Sequence, residues 1–220
     1  MMLSARLWQS MDGVYRQVLE HPFLTGLTDG SLPREAFHYF VVQDAHYLRG
    51  FARALTVCGA KAPTEDDARM FAEHATGAIT AEQGMQAELI DALGSSVTEA
   101  AAVPVAPTTL AYTSYLLATV HCESFAEGLG AVLPCYWIYA RVGEALLERS
   151  SPDPLYARWI AMYGEEDFQS VVDAVLAVTD RVGASLSASE ADRVVGHVRN
   201  SSRYEWMFWD AAYRRETWPV

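Results

Sequence analysis

Three side chains of this sequence have the types and positions that suit covalent and acid–base chemistry, namely Asp44, Cys135 and Glu205. Asp44 falls between Phe40 and Tyr47 on the apolar side of a segment whose hydrophobic residues recur every three or four positions, so its carboxylate is predicted to point into the core. A buried carboxylate is costly unless it is hydrogen-bonded. Asp44 therefore serves either a structural network or a ligand.

Glu205 is a second carboxylate on an apolar helix face, which it shares with Val198 and Phe208. Apolar surroundings raise the pKa of a carboxyl group toward neutrality, and such a group can both give and take a proton near pH 7. The structural alternative is a Glu205 that forms an ion pair with Arg203 or Arg141. The sequence pattern alone leaves both interpretations open.

Cys135 is distinguished from the other two cysteines by its position. Pro134 precedes it, and because proline is favoured at the first position of a helix, we predict that a helix begins here. The thiol would then lie in the first turn, where free N–H groups and the helix dipole lower the pKa of a thiol and produce a nucleophilic thiolate. A buried cysteine more often serves as a small hydrophobic residue, which is the interpretation for Cys58 and Cys122.

Tyrosines are also numerous, with eleven in 220 residues. Tyr47 follows Asp44 by three positions, Tyr139 follows Cys135 by four, and Tyr112 and Tyr163 lie on other predicted helices. Aromatic rings next to hydroxyl groups suit a flat heteroaromatic ligand. Packing in the core or at an interface is the alternative for each single tyrosine.

The composition limits the classes of function. The chain is 51% hydrophobic and 20% charged, so it can fill a core, and intrinsic disorder is excluded. With 28 acidic and 16 basic residues its formal charge is −12, which disfavours nucleic acid or an anionic membrane surface as partner. No stretch reaches the roughly 18 apolar residues of a membrane-spanning helix, and no membrane crossing is predicted.

The N-terminal residues and the cysteines indicate a reducing compartment. Gln9, Ser10 and Asp12 stand where a signal peptide would need its apolar centre. Three cysteines are an odd number and lack a disulfide-type spacing. We therefore expect a cytoplasmic protein with free thiols.

Hydrophobic spacing predicts an all-α fold, because alternating β-type runs between tight turns are almost absent. No linker, repeat or low-complexity segment divides the chain, so residues 1–220 are interpreted as one helical domain. The segment 100–107 is predicted to be a loop. The predicted helices are 3–20, 33–59, 64–93, 107–129, 134–149, 153–163, 166–187 and 189–215.

Metal and cofactor motifs are weak. Glu35 and His38 have the Glu-x-x-His spacing of di-iron bundles, but such a site needs two pairs, and none of the other five histidines follows a glutamate in this way. Single histidines such as His21 or His46 could ligate haem, yet no pattern selects one. We predict no metal and no cofactor.

Three runs of the sequence resemble the thiaminase II (TenA-type) family. They are Leu-Pro-Cys-Tyr-Trp-Ile-Tyr at 133–139, Phe-Val-Val-Gln-Asp-Ala-His-Tyr-Leu at 40–48, and Tyr-Glu-Trp-Met-Phe-Trp at 204–209. The resemblance spans nearly the whole chain. It implies a haem-oxygenase-like all-α fold without haem, a homotetramer, and salvage of the pyrimidine half of damaged thiamin.

The resemblance also implies roles for single residues. Cys135 corresponds to the nucleophile, Glu205 to the acid/base group, and Asp44 to the carboxylate that holds the amino-amidine edge of the pyrimidine. Tyr112 and Tyr163 correspond to the hydroxyls that orient the thiol region and the carboxylate, respectively. The other pocket residues that the resemblance implies are Tyr47, Tyr139 and Phe208.

Because it has Cys135, the sequence resembles the cysteine-containing branch of the family. This resemblance implies a hydrolase that acts on C–N bonds of thiamin-derived pyrimidines. Glu82 and Gln86 fall where the pocket rim varies between members, and no role is assigned to them. A non-catalytic pyrimidine-binding protein and a haem- or oxygen-using enzyme of the same fold are the competing hypotheses. Cys135 and Glu205 favour the hydrolase, because binding alone needs neither.

Overall fold

The structure, a computed structural model, describes residues 2–164 and 166–220, apart from the side chains of residues 81–83, 85 and 86. The expectation for Glu82 and Gln86 therefore lies outside the described residues. The described part is helical and contains no strand, which confirms the all-α prediction. Its ten helices are α1 Leu3–Leu19, α2 Pro22–Asp29, α3 Arg34–Lys61, α4 Glu65–Ala92, α5 Val97–Ala102, α6 Pro107–Cys122, α7 Phe125–Leu147, α8 Pro154–Gly164, α9 Glu166–Gly183 and α10 Ala188–Arg214.

Side-chain caps determine where several helices begin. The Thr64 hydroxyl accepts a hydrogen bond from the backbone N–H of Asp67 at the start of α4, close to the predicted helix start at 64. α10 begins with a capping box in which Ser187 and Glu190 bond each other's backbone N–H groups, so it starts at Ala188, one residue before the predicted start at 189. Of the helices in the described residues, none is long and apolar enough to cross a membrane.

The segment around Cys135 differs most from the prediction. The predicted helix 107–129 is two helices, because α6 ends at Cys122 and a capping box of Ser124 and Glu127 starts α7. Pro134 lies inside α7 and does not begin a helix. The predicted helix start at Pro134 is therefore wrong, and so is the placement of Cys135 in a first turn with free N–H groups.

Two short helices were not predicted. α2 begins at Pro22, and the His21 ring nitrogen accepts a hydrogen bond from the N–H of Phe23. α5 begins with a capping box at Ser96 and ends at Ala102. The predicted loop at 100–107 therefore starts only after Ala102. Helices this short bury too few residues to show a clear hydrophobic period.

α7 is the central helix, with most of its 23 residues buried. It packs against α10, α8, α6, α9 and α3, and glycines allow the closest of these approaches. A Cβ built on Gly130 would lie 2.9 Å from the Val194 side chain of α10. A Cβ on Gly143 would lie 2.3 Å from the backbone of Tyr163 in α8. α7 therefore fixes the positions of both neighbouring helices.

We predict that Gly143→Ala lowers the free energy of unfolding by about 2 kcal/mol or more, because the methyl group meets backbone that cannot rotate away. Gly196→Ala is the matched control on α10. There a Cβ meets nothing within 4 Å, and alanine should stabilise the helix by about 0.5–1 kcal/mol. Urea denaturation measures both changes. Equal stability of the two variants would contradict the close packing of α7 on α8.

Candidate active site

A cavity of about 410 Å³ lies between α3, α4, α7, α8 and α9. Five of the eight residues predicted for the site line it, although they come from three helices: Asp44 and Tyr47 of α3, Cys135 and Tyr139 of α7, and Tyr163 of α8. The cavity size is in the range typical of small-molecule sites. The structure thus brings these predicted residues together around one space.

The other three predicted residues adjoin this wall. Tyr112 packs its ring on Tyr47, with centroids 4.9 Å apart, and Phe208 lies 5.7 Å from the same ring. The Tyr112 hydroxyl donates a hydrogen bond of 2.6 Å to Oε1 of Glu205. Glu205, on α10, is therefore not part of the cavity lining, but its charge acts on Tyr47 and Tyr139, which are.

Burial of the two predicted carboxylates follows the helix periodicity. Asp44 is 4% exposed and Glu205 is 1% exposed, so both point into the core as their spacing indicates. Glu205 forms no ion pair with an arginine of the described residues. Arg203 is exposed, and Arg141 pairs with Glu144 on the surface. The ion-pair alternative for Glu205 is therefore wrong.

Burial changes the protonation of Glu205. Loss of water contact raises its pKa to about 8, the hydrogen bond from Tyr112 opposes this rise, and the charge of Asp44 adds to it. At neutral pH most molecules then carry a protonated Glu205. A carboxylic acid in this state can donate a proton and, once ionised, take one back.

Cys135 is buried in the middle of α7, and buried tyrosines lie near it. Burial, followed by the charges of Cys135, Tyr112 and Glu205, raises the pKa of Tyr47 well above its usual value, and a hydrogen bond with Cys135 adds to this rise. The thiol therefore lies next to a neutral phenol, and not at the helix N-terminus that the sequence suggested.

Tyr112 and Tyr163 differ in their contacts. The resemblance implied that Tyr112 orients the thiol region, and the structure shows its hydroxyl bound to the Glu205 carboxyl group. Tyr163 packs its ring against Tyr139 and Trp159, both at 4.9 Å. Its ring forms part of the cavity wall.

Some cavity residues carry no sequence signal. Glu73 and His74 of α4 and Asp167 of α9 also line the cavity, and the His74 ring nitrogen Nδ1 lies 3.2 Å from the hydroxyl of Tyr136. Glu73 and Asp167 are exposed, as most charged residues on helices are. Only the packing of α4 against α3 and of α9 against α7 shows that they border a site.

The described residues contain no cluster of three or more His, Cys, Asp or Glu side chains that could hold a metal ion. The cavity is lined by a thiol, three carboxyl groups and several phenols, and the carboxyl group of Glu205 adjoins it through Tyr112. Together they can bind the polar edge of an aromatic ring, attack it with sulfur and move a proton.

The chain is similar to known proteins over most of its length. Residues 8–215 match the TENA/THI-4/PQQC family. The chain is 36% identical over 198 residues to an "Aminopyrimidine aminohydrolase" of Bacillus subtilis, which covers 90% of this chain and 84% of the relative. It is 31% identical over 220 residues to a protein of the same name from Halalkalibacterium halodurans, with 99% and 98% covered.

Solved structures show the same fold. A TenA homologue from P. horikoshii superposes with a TM-score of 0.90 at 30% identity and covers 97% of this chain and 99% of its own. A Shewanella denitrificans protein described as having a heme oxygenase-like fold reaches a TM-score of 0.76 at 16% identity, with 96% and 92% covered. The predicted haem-oxygenase-like fold and the family resemblance are confirmed: the chain belongs to the TENA/THI-4/PQQC family.

Proposed function

We propose that this protein is a hydrolase that cleaves a C–N bond of thiamin-derived pyrimidines. Its substrates would be 4-amino-5-aminomethyl-2-methylpyrimidine, converted to the 5-hydroxymethyl compound, and thiamin itself. The names of the two relatives support the reaction type. The observation that carries the proposal is the buried Glu205, with a pKa of about 8, next to a cavity lined by Cys135 and Asp44.

Binding comes first in the proposed reaction. The ring would lie among the aromatic side chains of Tyr47, Tyr139 and Tyr163, which line the cavity. Asp44 would accept hydrogen bonds from the amino-amidine edge. A carboxylate held at 4% exposure gains more from such a bond than an exposed one, because little water competes for it.

Addition of the thiol is the next step. An aminopyrimidine is a poor electrophile until a ring nitrogen receives a proton, so an acid must act as sulfur attacks. Glu205 would supply this proton as the sulfur of Cys135 loses its own proton and forms a C–S bond to a ring carbon. The protonated state of Glu205 near neutral pH suits this step, since an ordinary glutamate would already be ionised.

Water completes the exchange. The amine takes up the proton that the thiol released and leaves the methylene carbon as ammonia with the electron pair of the C–N bond. Water, deprotonated by the now ionised Glu205, adds its hydroxyl group to that carbon. The C–S bond then breaks, the ring nitrogen gives its proton back to sulfur, and the thiol is restored. The net reaction consumes one water and releases one ammonia; with thiamin, the thiazole leaves in place of ammonia.

Three expectations from the sequence stay predictions. They are the homotetramer, the cytoplasmic location and the organisation of residues 1–220 as one domain. The buried apolar residues of the described part do form one core cluster, which is consistent with a single domain.

Replacement of Cys135 by serine tests the nucleophile. We expect normal folding and retained affinity for the hydroxymethyl pyrimidine, but at least a ~10³-fold lower rate of ammonia release from the aminomethyl substrate, which is the order of loss seen for key nucleophiles. Cys122→Ser is the matched control, because Cys122 is exposed and should leave the rate unchanged. Unchanged turnover in Cys135→Ser would remove the thiol from the mechanism and favour a different role for the cavity.

Replacement of Tyr112 by phenylalanine tests the acid. The hydrogen bond from Tyr112 lowers the pKa of Glu205, so its removal should raise that pKa. The alkaline limb of the kcat/KM profile, where protonated Glu205 is depleted, should then move up by about one pH unit. Tyr115→Phe is the control, because the Tyr115 hydroxyl bonds His197 and not Glu205. A limb that does not move in Tyr112→Phe would show that another group sets it.

A further inference from the structure

The loop between α5 and α6, at 103–106, is fixed to α3 beside the site. The buried side chain of Gln43 donates a hydrogen bond from Nε2 to the carbonyl oxygen of Pro104 at 3.0 Å. Its Oε1 accepts a hydrogen bond from the N–H of Ala106 at 2.9 Å. A buried amide needs both kinds of partner, and this loop supplies both. Gln43 directly precedes Asp44, so the loop is held by the turn of α3 that carries a residue of the cavity lining.

α6 begins directly after this loop and has no side-chain cap of its own, because its N-cap residue is Ala106. The carboxylate of Glu216 supplies an acceptor instead, and the N–H of Thr108 donates to its Oε2 at 2.8 Å. N–H groups of a first turn have no partner within the helix, and the helix dipole favours a negative charge there. Tyr39 of α3 donates a hydrogen bond of 2.8 Å to the carbonyl oxygen of Glu216 and so holds this residue from a second side. Glu216 therefore caps α6 from a position 108 residues away.

The segment after α10, at 215–218, brings Glu216 to this place. The chain turns at Arg215, whose φ of 53° lies in the left-handed region. The N–H of Glu216 closes the turn on a carbonyl oxygen of the last turn of α10, and Nε1 of Trp218 donates to the carbonyl oxygen of Val105 at 2.9 Å. Left-handed backbone is uncommon for a residue other than glycine. The hydrogen bonds on both sides of the turn hold it in this conformation.

We propose that Glu216 is a positioning residue: by capping α6 it holds the Tyr112 hydroxyl on Glu205. Thr108 and Tyr112 are four residues apart, so they lie one turn apart on the same face of α6. Glu205 lies on α10, the helix that leads into the segment with Glu216. The cap and the bond from Tyr112 to Glu205 thus tie α6 to the same stretch of chain. The consequence for turnover rests on the function proposed above, whereas the effect on Glu205 can be measured without a substrate.

The groups around Glu205 give the direction of the effect. Asp44 and Tyr47 of α3, Tyr112 of α6 and Tyr139 of α7 interact with it electrostatically. Burial and the charge of Asp44 raise the pKa of Glu205, and the hydrogen bond from Tyr112 lowers it. A weaker bond from Tyr112 should therefore raise the pKa of Glu205 further.

Infrared difference spectroscopy of Glu216→Ala tests this positioning role. The C=O band of Glu205, identified by its loss in Glu205→Gln, should titrate with a midpoint about half to one pH unit higher than in the wild type. One unit is the shift expected when the bond from Tyr112 is lost completely. The alkaline limb of the kcat/KM profile should move by the same amount.

Glu216→Gln separates the hydrogen bond from the charge. Its amide oxygen can still accept from the N–H of Thr108, so the midpoint should stay at the wild-type value. Loss of the charge alone would lower the midpoint, because a nearby negative charge raises the pKa of a carboxyl group. A rise in Glu216→Ala therefore reports the lost cap.

Two further variants separate positioning from a general loss of stability. Glu190→Ala removes the carboxylate of the capping box at the start of α10, the helix that carries Glu205, and should lower stability without moving the midpoint. In the Tyr112→Phe background, Glu216→Ala should add no further shift, because the bond through which it acts is already absent.

Three results would overturn the positioning role: an unmoved midpoint in Glu216→Ala, an equal shift in Glu190→Ala, or a full additional shift in the Tyr112→Phe background. A wild type that releases no ammonia from the aminomethyl pyrimidine would overturn the proposed function. The shift of the Glu205 midpoint in Glu216→Ala would in that case still establish the role of the cap.

Discussion

The hydrogen bond from Tyr112 to Glu205 is the interaction on which the site depends. It joins α6 to α10 in the core at 2.6 Å, where a carboxyl group would be costly without a donor. The hydrogen bond lowers the pKa of Glu205 by less than burial raises it, so this pKa still rises to about 8. Glu205 therefore keeps its proton near neutral pH. The hydrogen bond from Tyr112 fixes its position, and ring packing holds Tyr112 in turn.

The aromatic rings around Tyr112 make this arrangement rigid. Its ring stacks on Tyr204 at 5.1 Å and packs on Tyr47 at 4.9 Å. Through Tyr47 the packing continues to the cavity that Cys135 lines. The acid, the phenols and the thiol therefore belong to one packed unit, in which large movements of a single side chain would open voids.

The helix faces of the two carboxylates could be predicted from sequence, because a period of 3.6 residues is a local pattern. Asp44 and Glu205 occupy positions where the neighbours on the same face are apolar, and both are buried. Cys135 lines the cavity, but the helix start at Pro134 from which it was selected is wrong. The Ser-x-x-Glu signal at Ser124 marks the true start of α7, and Pro134 is tolerated within a helix that neighbours enclose on nearly every side.

The rest of the site could not be predicted, because it depends on how helices pack. Glu73 and Asp167 look like ordinary surface charges in sequence, and only the packing of α4 on α3 and of α9 on α7 brings them to the cavity. The bond between Tyr112 and Glu205 joins residues 93 positions apart, and no local pattern connects them. Close approaches at Gly130 and Gly143 bring α10 and α8 against α7, and a glycine in a helix sequence does not reveal which residue it will contact.

Infrared difference spectroscopy across a pH titration tests the central claim most directly. A protonated carboxyl group has a C=O stretching band that an ionised one lacks, and Glu205→Gln identifies the band that belongs to Glu205. The account predicts that this band is present at pH 6 and disappears with a midpoint near pH 8. Absence of a Glu205 band at pH 6, with titration in the ordinary range of about 4 to 5, would contradict it.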